Sequence, residues 1–209
     1  MTDLVDHFAL LNEPRRPWLE ADLLKQKFLA LSSEMHPDRS HEAGAAAREA
    51  ATRRFAELNA AWQCPREPKD RLGHLLELEL GARPADAQDT PAPAMNLFFE
   101  TGRLCREADA FLAAKEKTSS PLLRAQMFGR GMDLASRLNE LQQVIQRRRE
   151  ELLAELPGLN AAWEAAPAAG SAGRAVALPL EAVERVYRML SYIGRWTGQI
   201  QERLAQLSF

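Results

Sequence analysis

The 209-residue chain has little from which a sheet could be built. Only 5 Val and 3 Ile stand against 35 Ala and 31 Leu, so the β-branched residues that pack pleated surfaces are nearly missing while strong helix formers dominate. An all-α fold is implied, and a sheet protein of this size is excluded. An excess of one charge is also lacking: 27 Lys and Arg face 29 Asp and Glu, for a net charge of −2. Up to residue 80 there are 11 basic and 14 acidic residues, and beyond it 16 and 15. Neither part has the basic surplus by which a protein holds nucleic acid. The cysteines are two, Cys64 and Cys105, without a CxxC pair, so neither a disulfide framework nor zinc-ligand spacing is present and a reducing cytoplasm is the expected compartment. No apolar run approaches the roughly 18 residues that cross a bilayer. Asp3 and Asp6 stand where an export signal carries Lys or Arg, so no membrane partner is expected.

Motifs of catalysis are missing too. There is no GxxxxGK[ST], and Gly129-Arg130-Gly131 fails as a dinucleotide fingerprint because Leu134 holds the third glycine position. His7, His36, His41 and His74 never fall at HExxH spacing, and Ser171 lacks the first glycine of a nucleophile elbow. The expectation is a protein without catalytic residues, metal or other cofactor. Arg147-Arg148-Arg149-Glu150-Glu151 reads as a solvated, ion-paired helix face.

What is present is helical periodicity broken by proline and glycine. Four helices fit the first eighty residues: 3–11, ending before Pro14; 19–35, with Leu24, Phe28, Leu31 and Met35 in phase; 45–63, with Ala51, Phe55, Leu58 and Trp62; and 69–80, with Leu72, Leu75, Leu76 and Leu80. Gly81 to Ala94 contains three prolines and no aliphatic side chain larger than Ala, the composition of a linker. Three longer helices follow at about 95–117, 120–155 and 180–207, the middle one with a stripe of Leu134, Leu138, Leu141, Ile145 and Leu152. The Ala, Gly and Pro-rich stretch 157–179 reads as a long flexible connection. LNAAW occurs at 58–62 and 159–163, too short an echo in an Ala/Leu-rich chain to make a repeat.

One tripeptide stands out. His36-Pro37-Asp38 lies where an amphipathic helix stops, because the proline ring disfavours α geometry in the residue before it. That places His36 and Asp38 together at a loop tip. Taken alone, the string also serves as an ordinary helix stop, with a histidine near the C-terminal dipole and an aspartate in a turn.

Its context is more specific. Asp6-His7-Phe8-Ala9-Leu10-Leu11, the helix ending at His36-Pro37-Asp38, and Phe55-Ala56-Glu57-Leu58-Asn59-Ala60-Ala61-Trp62 resemble, in order and spacing, the J-domain of DnaJ-type co-chaperones. The likeness is greatest to the HscB-type iron–sulfur co-chaperones, whose third and fourth helices are similar to Leu58 through Gln63, Pro68, Arg71 and Leu75-Leu76. Their last helix is similar to Leu190 through Trp196 and on to Phe209. The resemblance implies a four-helix J-domain at 1–80, a linker at 81–94 and a three-helix client-binding bundle at 95–209. It implies a non-enzymatic co-chaperone, expected to be a cytoplasmic monomer. His36, Pro37 and Asp38, with Lys25 and Lys27 on the preceding helix, would dock on a DnaK/HscA-type ATPase chaperone and stimulate ATP hydrolysis. The bundle would present Phe98, Phe99, Leu104, Glu107 and Tyr192 to a client, the iron–sulfur scaffold protein (IscU-like) in that family. Phe98, Phe99 and Tyr192 would form one exposed patch, with one of the adjacent phenylalanines turned to the core because neighbours on a helix point about 100° apart.

The chain departs from the family at Glu34, where relatives place Lys, and at Gly102 and Arg103, where an apolar and an acidic residue are usual. A J-domain protein serving a different client, and a helical adaptor with no ATPase partner, remain open alternatives.

Overall fold

A computed structural model describes residues 4–36, 44–82, 84 and 94–207. Among these the regular structure is helix, with no strand. In order the helices are α1 (His7–Leu10), α2 (Ala21–Glu34), α3 (Ala45–Arg66), α4 (Pro68–Leu80), α5 (Met95–Lys117), α6 (Pro121–Ala165), α7 (Arg174–Ala177) and α8 (Leu180–Leu207). Pro37 and Asp38 lie outside the described residues, as does most of the linker at 81–94. No helix among the described residues is long and apolar enough to cross a membrane.

Local chemistry sets the helix ends. Asp6 caps α1, its Oδ1 accepting from the amides of Phe8 (3.0 Å) and Ala9 (3.1 Å). Pro68 opens α4 in the first helical position, where a missing N–H costs nothing, and Gly81 closes it at φ +76°. α3 runs past Pro65 to Arg66, three residues beyond the end expected from sequence. A proline in the last turn forfeits only one bond of the ladder, and the Pro65 carbonyl accepts from Arg71 Nη1 at 2.8 Å.

The chain divides into two compact units that do not follow its linear order. The first contains α1 to α4 together with 154–187; the second contains α5, 121–153 of α6, and 188–207 of α8. Phe8, Leu11, Leu24, Leu58, Leu72 and Leu75 are buried in the first unit. Asn160 joins its two stretches by a reciprocal clamp, accepting from the Trp18 amide at 3.0 Å and donating to the Trp18 carbonyl at 3.1 Å. Arg71 is buried beside Pro17, whose carbonyl accepts from Nε at 2.9 Å. Loss of hydration lowers its pKa to about 10, which leaves it charged at neutral pH.

The stretch 157–179, expected as a flexible connection, is helical to Ala165. Leu152, Leu156 and Trp163 continue the buried stripe at helical spacing on either side of Pro157, so burial outweighs the proline. Beyond the helix, Arg174 Nε and Nη2 donate to Glu79 Oε2 and Oε1 at 2.7 and 2.9 Å, and Nη1 donates to the Pro167 carbonyl.

In the second unit the stripe of Leu134, Leu138, Leu141, Ile145 and Leu152 is buried as expected. Gly131 packs against Phe111, whose ring leaves a Cβ there only 3.2 Å. Arg203 on α8 reaches Asp109 on α5 at 2.9 Å.

Candidate functional site

α2 and α3 are held together by a stack of Phe28 on Trp62, with ring centroids 4.7 Å apart and planes 14° from parallel. Phe55, two turns nearer the connecting loop, meets the edge of His36 at 5.4 Å. His36 is exposed at the end of the described part of this hairpin, so a ring carried on an anchored helix pair faces solvent. Lys25 is exposed on α2. Lys27 is committed within the unit: its Nζ lies 2.6 Å from Glu13 Oε1 and donates to the Asn12 carbonyl at 3.1 Å. Glu34 ends α2, whose last turn holds no basic residue. The positive face of this helix is therefore thin in space as well as in sequence.

The proposed client residues separate into two groups. Phe98 and Phe99 are 43% and 60% exposed, their rings in edge contact at 5.5 Å. Neither faces the core, contrary to the expectation for one of them. The buried stripe of α5 runs through Thr101, Leu104, Cys105, Ala108 and Phe111; Phe98, three residues before Thr101, lies at the edge of its extension and Phe99 about 100° farther from it. Leu104 and Tyr192 are buried, so Tyr192 does not share an exposed patch with the phenylalanines. Its ring lies 5.7 Å from Trp196 and under the Arg195 guanidinium at 4.5 Å. Glu107 joins α5 to α6 by accepting from both Arg137 Nη atoms at 3.0 and 2.9 Å, and Arg103 lies 3.6 Å away. The Arg137 hydrogen bonds hold the Glu107 carboxyl below its ordinary pKa.

No family model matches the sequence. Among solved structures, chaperone HscB from Vibrio cholerae is similar over 95% of this chain and 96% of its own, at a TM-score of 0.61 and 21% identity. Human co-chaperone protein HscB is similar over 98% of this chain and 83% of its own, at 0.59 and 15%. The fold is that of the HscB co-chaperones. Since 95% and 98% of this chain take part, both compact units belong to the HscB fold.

The fold also assembles a cluster that sequence spacing does not reveal. His7 on α1, Cys64 on α3 and His74 on α4 converge so that one ligand atom of each lies within 4.8 Å of those of the other two. The imidazoles are 4.5 Å apart, and the His7 amide donates to His74 Nε2 at 3.2 Å. His74 Nδ1 lies 3.8 Å from Glu77 Oε2, and Cys64 Sγ is 3.6 Å from the Asp70 carbonyl. Burial lowers the pKa of both histidines, most directly by loss of hydration, so both rings are neutral near pH 7. Local ligand motifs miss this group because α1 and α4 meet only through tertiary packing.

Proposed function

We propose that the protein is a J-domain co-chaperone. His36, Pro37 and Asp38, with Lys25 on the preceding helix α2, dock on a DnaK/HscA-type ATPase and stimulate its hydrolysis of ATP, while the second unit carries a client. The observation that supports this most is the His-Pro-Asp string directly after α2, with His36 solvent-facing on a hairpin fixed by Phe28, Phe55 and Trp62, in a chain with the HscB fold. The same fold favours the iron–sulfur scaffold as client. Phe98 and Phe99 are its exposed aromatic contacts, and Leu104, Glu107 and Tyr192 act by packing and pairing within the second unit.

The test is single-turnover ATP hydrolysis by the cognate chaperone with wild-type protein, His36→Gln and Asp38→Asn. Both variants are expected to lose stimulation. His36→Gln should leave the melting temperature nearly unchanged, since exposed substitutions move stability by about 0.5 kcal/mol or less. Stimulation that survives both variants refutes the J-domain reading and leaves a helical adaptor. Stimulation without affinity for the scaffold selects a different client, the reading that Gly102 and Arg103 favour.

A further inference from the structure

We propose that His7, Cys64 and His74 form a binding site for a borderline-soft divalent cation of the zinc class, which ties α1 to α3 and α4 through a single ion. Two imidazoles and a thiolate suit such an ion, whereas calcium and magnesium take oxygen ligands.

The geometry is close to what coordination requires. Tetrahedral zinc with nitrogen and sulfur ligands separates its donor atoms by about 3.4–3.6 Å. The present atoms all lie within 4.8 Å of one another, so side-chain torsions have at most about 1.5 Å to close. His7 Nδ1 is buried without a hydrogen-bond partner, a lone pair or N–H that packing alone does not satisfy. Ligation through His74 Nε2 would displace the His7 amide that now donates to it, a cost of one hydrogen bond set against the metal–nitrogen bond gained.

The surroundings match the donors. The cluster opens onto a cleft of about 450 Å³ whose walls include Asp70 and Glu77, giving the ion an entry path and water for its fourth position. Glu77, 3.8 Å from His74 Nδ1, stands where a carboxylate orients a ligating imidazole. The site uses none of the residues assigned to chaperone or client, so it stands apart from the proposed function.

The experiment is a titration of the untagged full chain, kept reduced, with Zn²⁺ by calorimetry and with Co²⁺ by absorption. One equivalent is expected to bind. Cobalt should show a thiolate charge-transfer band and the intense visible bands of a tetrahedral site. Free Zn²⁺ at a hundred times its Kd should shift the folding equilibrium about a hundredfold toward the folded state, read as a rise in melting temperature. Cys64→Ser changes one partly exposed atom, so helicity by circular dichroism should be kept while the charge-transfer band disappears and affinity falls by more than about a hundredfold, beyond the loss typical of an outer-shell change. Glu77→Gln should cost about 10–100-fold, and Cys105→Ala should leave binding intact. His7→Gln provides a second ligand variant outside the buried helix α4. Absence of saturable binding, or binding with the thiolate band that survives Cys64→Ser, overturns the proposal.

Discussion

Replacing Glu79 by Gln removes the charge from one side of the ion pair that fastens α7 to α4 within the first unit. The Arg174 guanidinium gives the carboxylate two parallel N–H···O bonds of 2.7 and 2.9 Å, and the two side chains retain only 10% and 3% of their accessible surface. These bonds raise the pKa of Arg174 above its ordinary value; without the carboxylate the guanidinium still stays ionised at neutral pH, so the variant leaves a full positive charge with no counterion. Breaking a buried pair from one side costs about 3–5 kcal/mol. The Arg174 end keeps some contact with water and the Pro167 carbonyl, which argues for the lower end, about 3 kcal/mol after discounting for screening. For a chain of this length each 1 kcal/mol lowers the melting temperature by about 2–4 °C, so a fall of roughly 6–12 °C is expected. Arg174→Met should fall by a similar amount, since it leaves the Glu79 charge stranded instead. The double variant Glu79→Gln, Arg174→Met should be less destabilised than the sum of the two, by about 1–3 kcal/mol of coupling. Thermal and urea unfolding of the four proteins closes the cycle, and repetition at high salt should leave the coupling largely intact, because a desolvated pair is weakly screened. Single losses below about 0.5 kcal/mol that add without coupling are the behaviour of exposed charges. That result would refute the argument that this pair holds the chain after α6 in place.

Gly73→Ala should destabilise by about 1–3 kcal/mol, because a Cβ there meets Tyr187 Cε2 at 2.9 Å, whereas Gly129→Ala, with open space around it, should stabilise by up to about 1 kcal/mol from helix propensity; paired melts check the opposite signs. Glu34→Lys should gain about 0.3–1 kcal/mol by placing a cation at the C-terminal end of α2. If this face docks on the chaperone, the same change should speed association at low salt and lose its effect as salt rises, read by stopped-flow mixing. Phe98→Ser and Phe99→Ser should melt near wild type yet weaken scaffold binding by 1 kcal/mol or more in a titration, while Leu104→Ala should cost about 2–5 kcal/mol of stability because its side chain is buried.

The bundle helices were legible because their signals are local. α5 and α8 occupy the ranges that period and proline placement give, Met95–Lys117 and Leu180–Leu207. The carboxyl end of α6 was not legible: Pro157 and a run of alanines look like an ending when each residue is weighed alone. Leu156 and Trp163 lose their solvent on packing, and that gain has no counterpart in local propensity. The orientation of aromatics failed for a related reason. Periodicity shows that Phe98 and Phe99 cannot both be central to one stripe, but not that both stay exposed at the start of the helix. Tyr192 has the hydrophobic neighbours of a core residue in sequence, and its burial sets aside the exposure that the family likeness suggested.

The two candidate sites differ in how they are written into the chain. His36, Pro37 and Asp38 are contiguous, so the string is visible without any knowledge of the fold, and the hairpin anchors the helix that precedes it. His7, Cys64 and His74 come from three helices separated by up to 67 residues, as the bond from the His7 amide to His74 Nε2 records. No spacing rule links them, since ligand motifs encode neighbours on one turn or one loop. What could have pointed to them is the amphipathic pattern itself. His74 stands among Leu72, Leu75 and Leu76 in the buried run of α4, and His7 precedes the buried Phe8 of α1. A titratable ring on an apolar stripe needs a partner when it is buried. Asking which other such ring or thiol the packing of α1 on α3 and α4 would bring to it leads to Cys64.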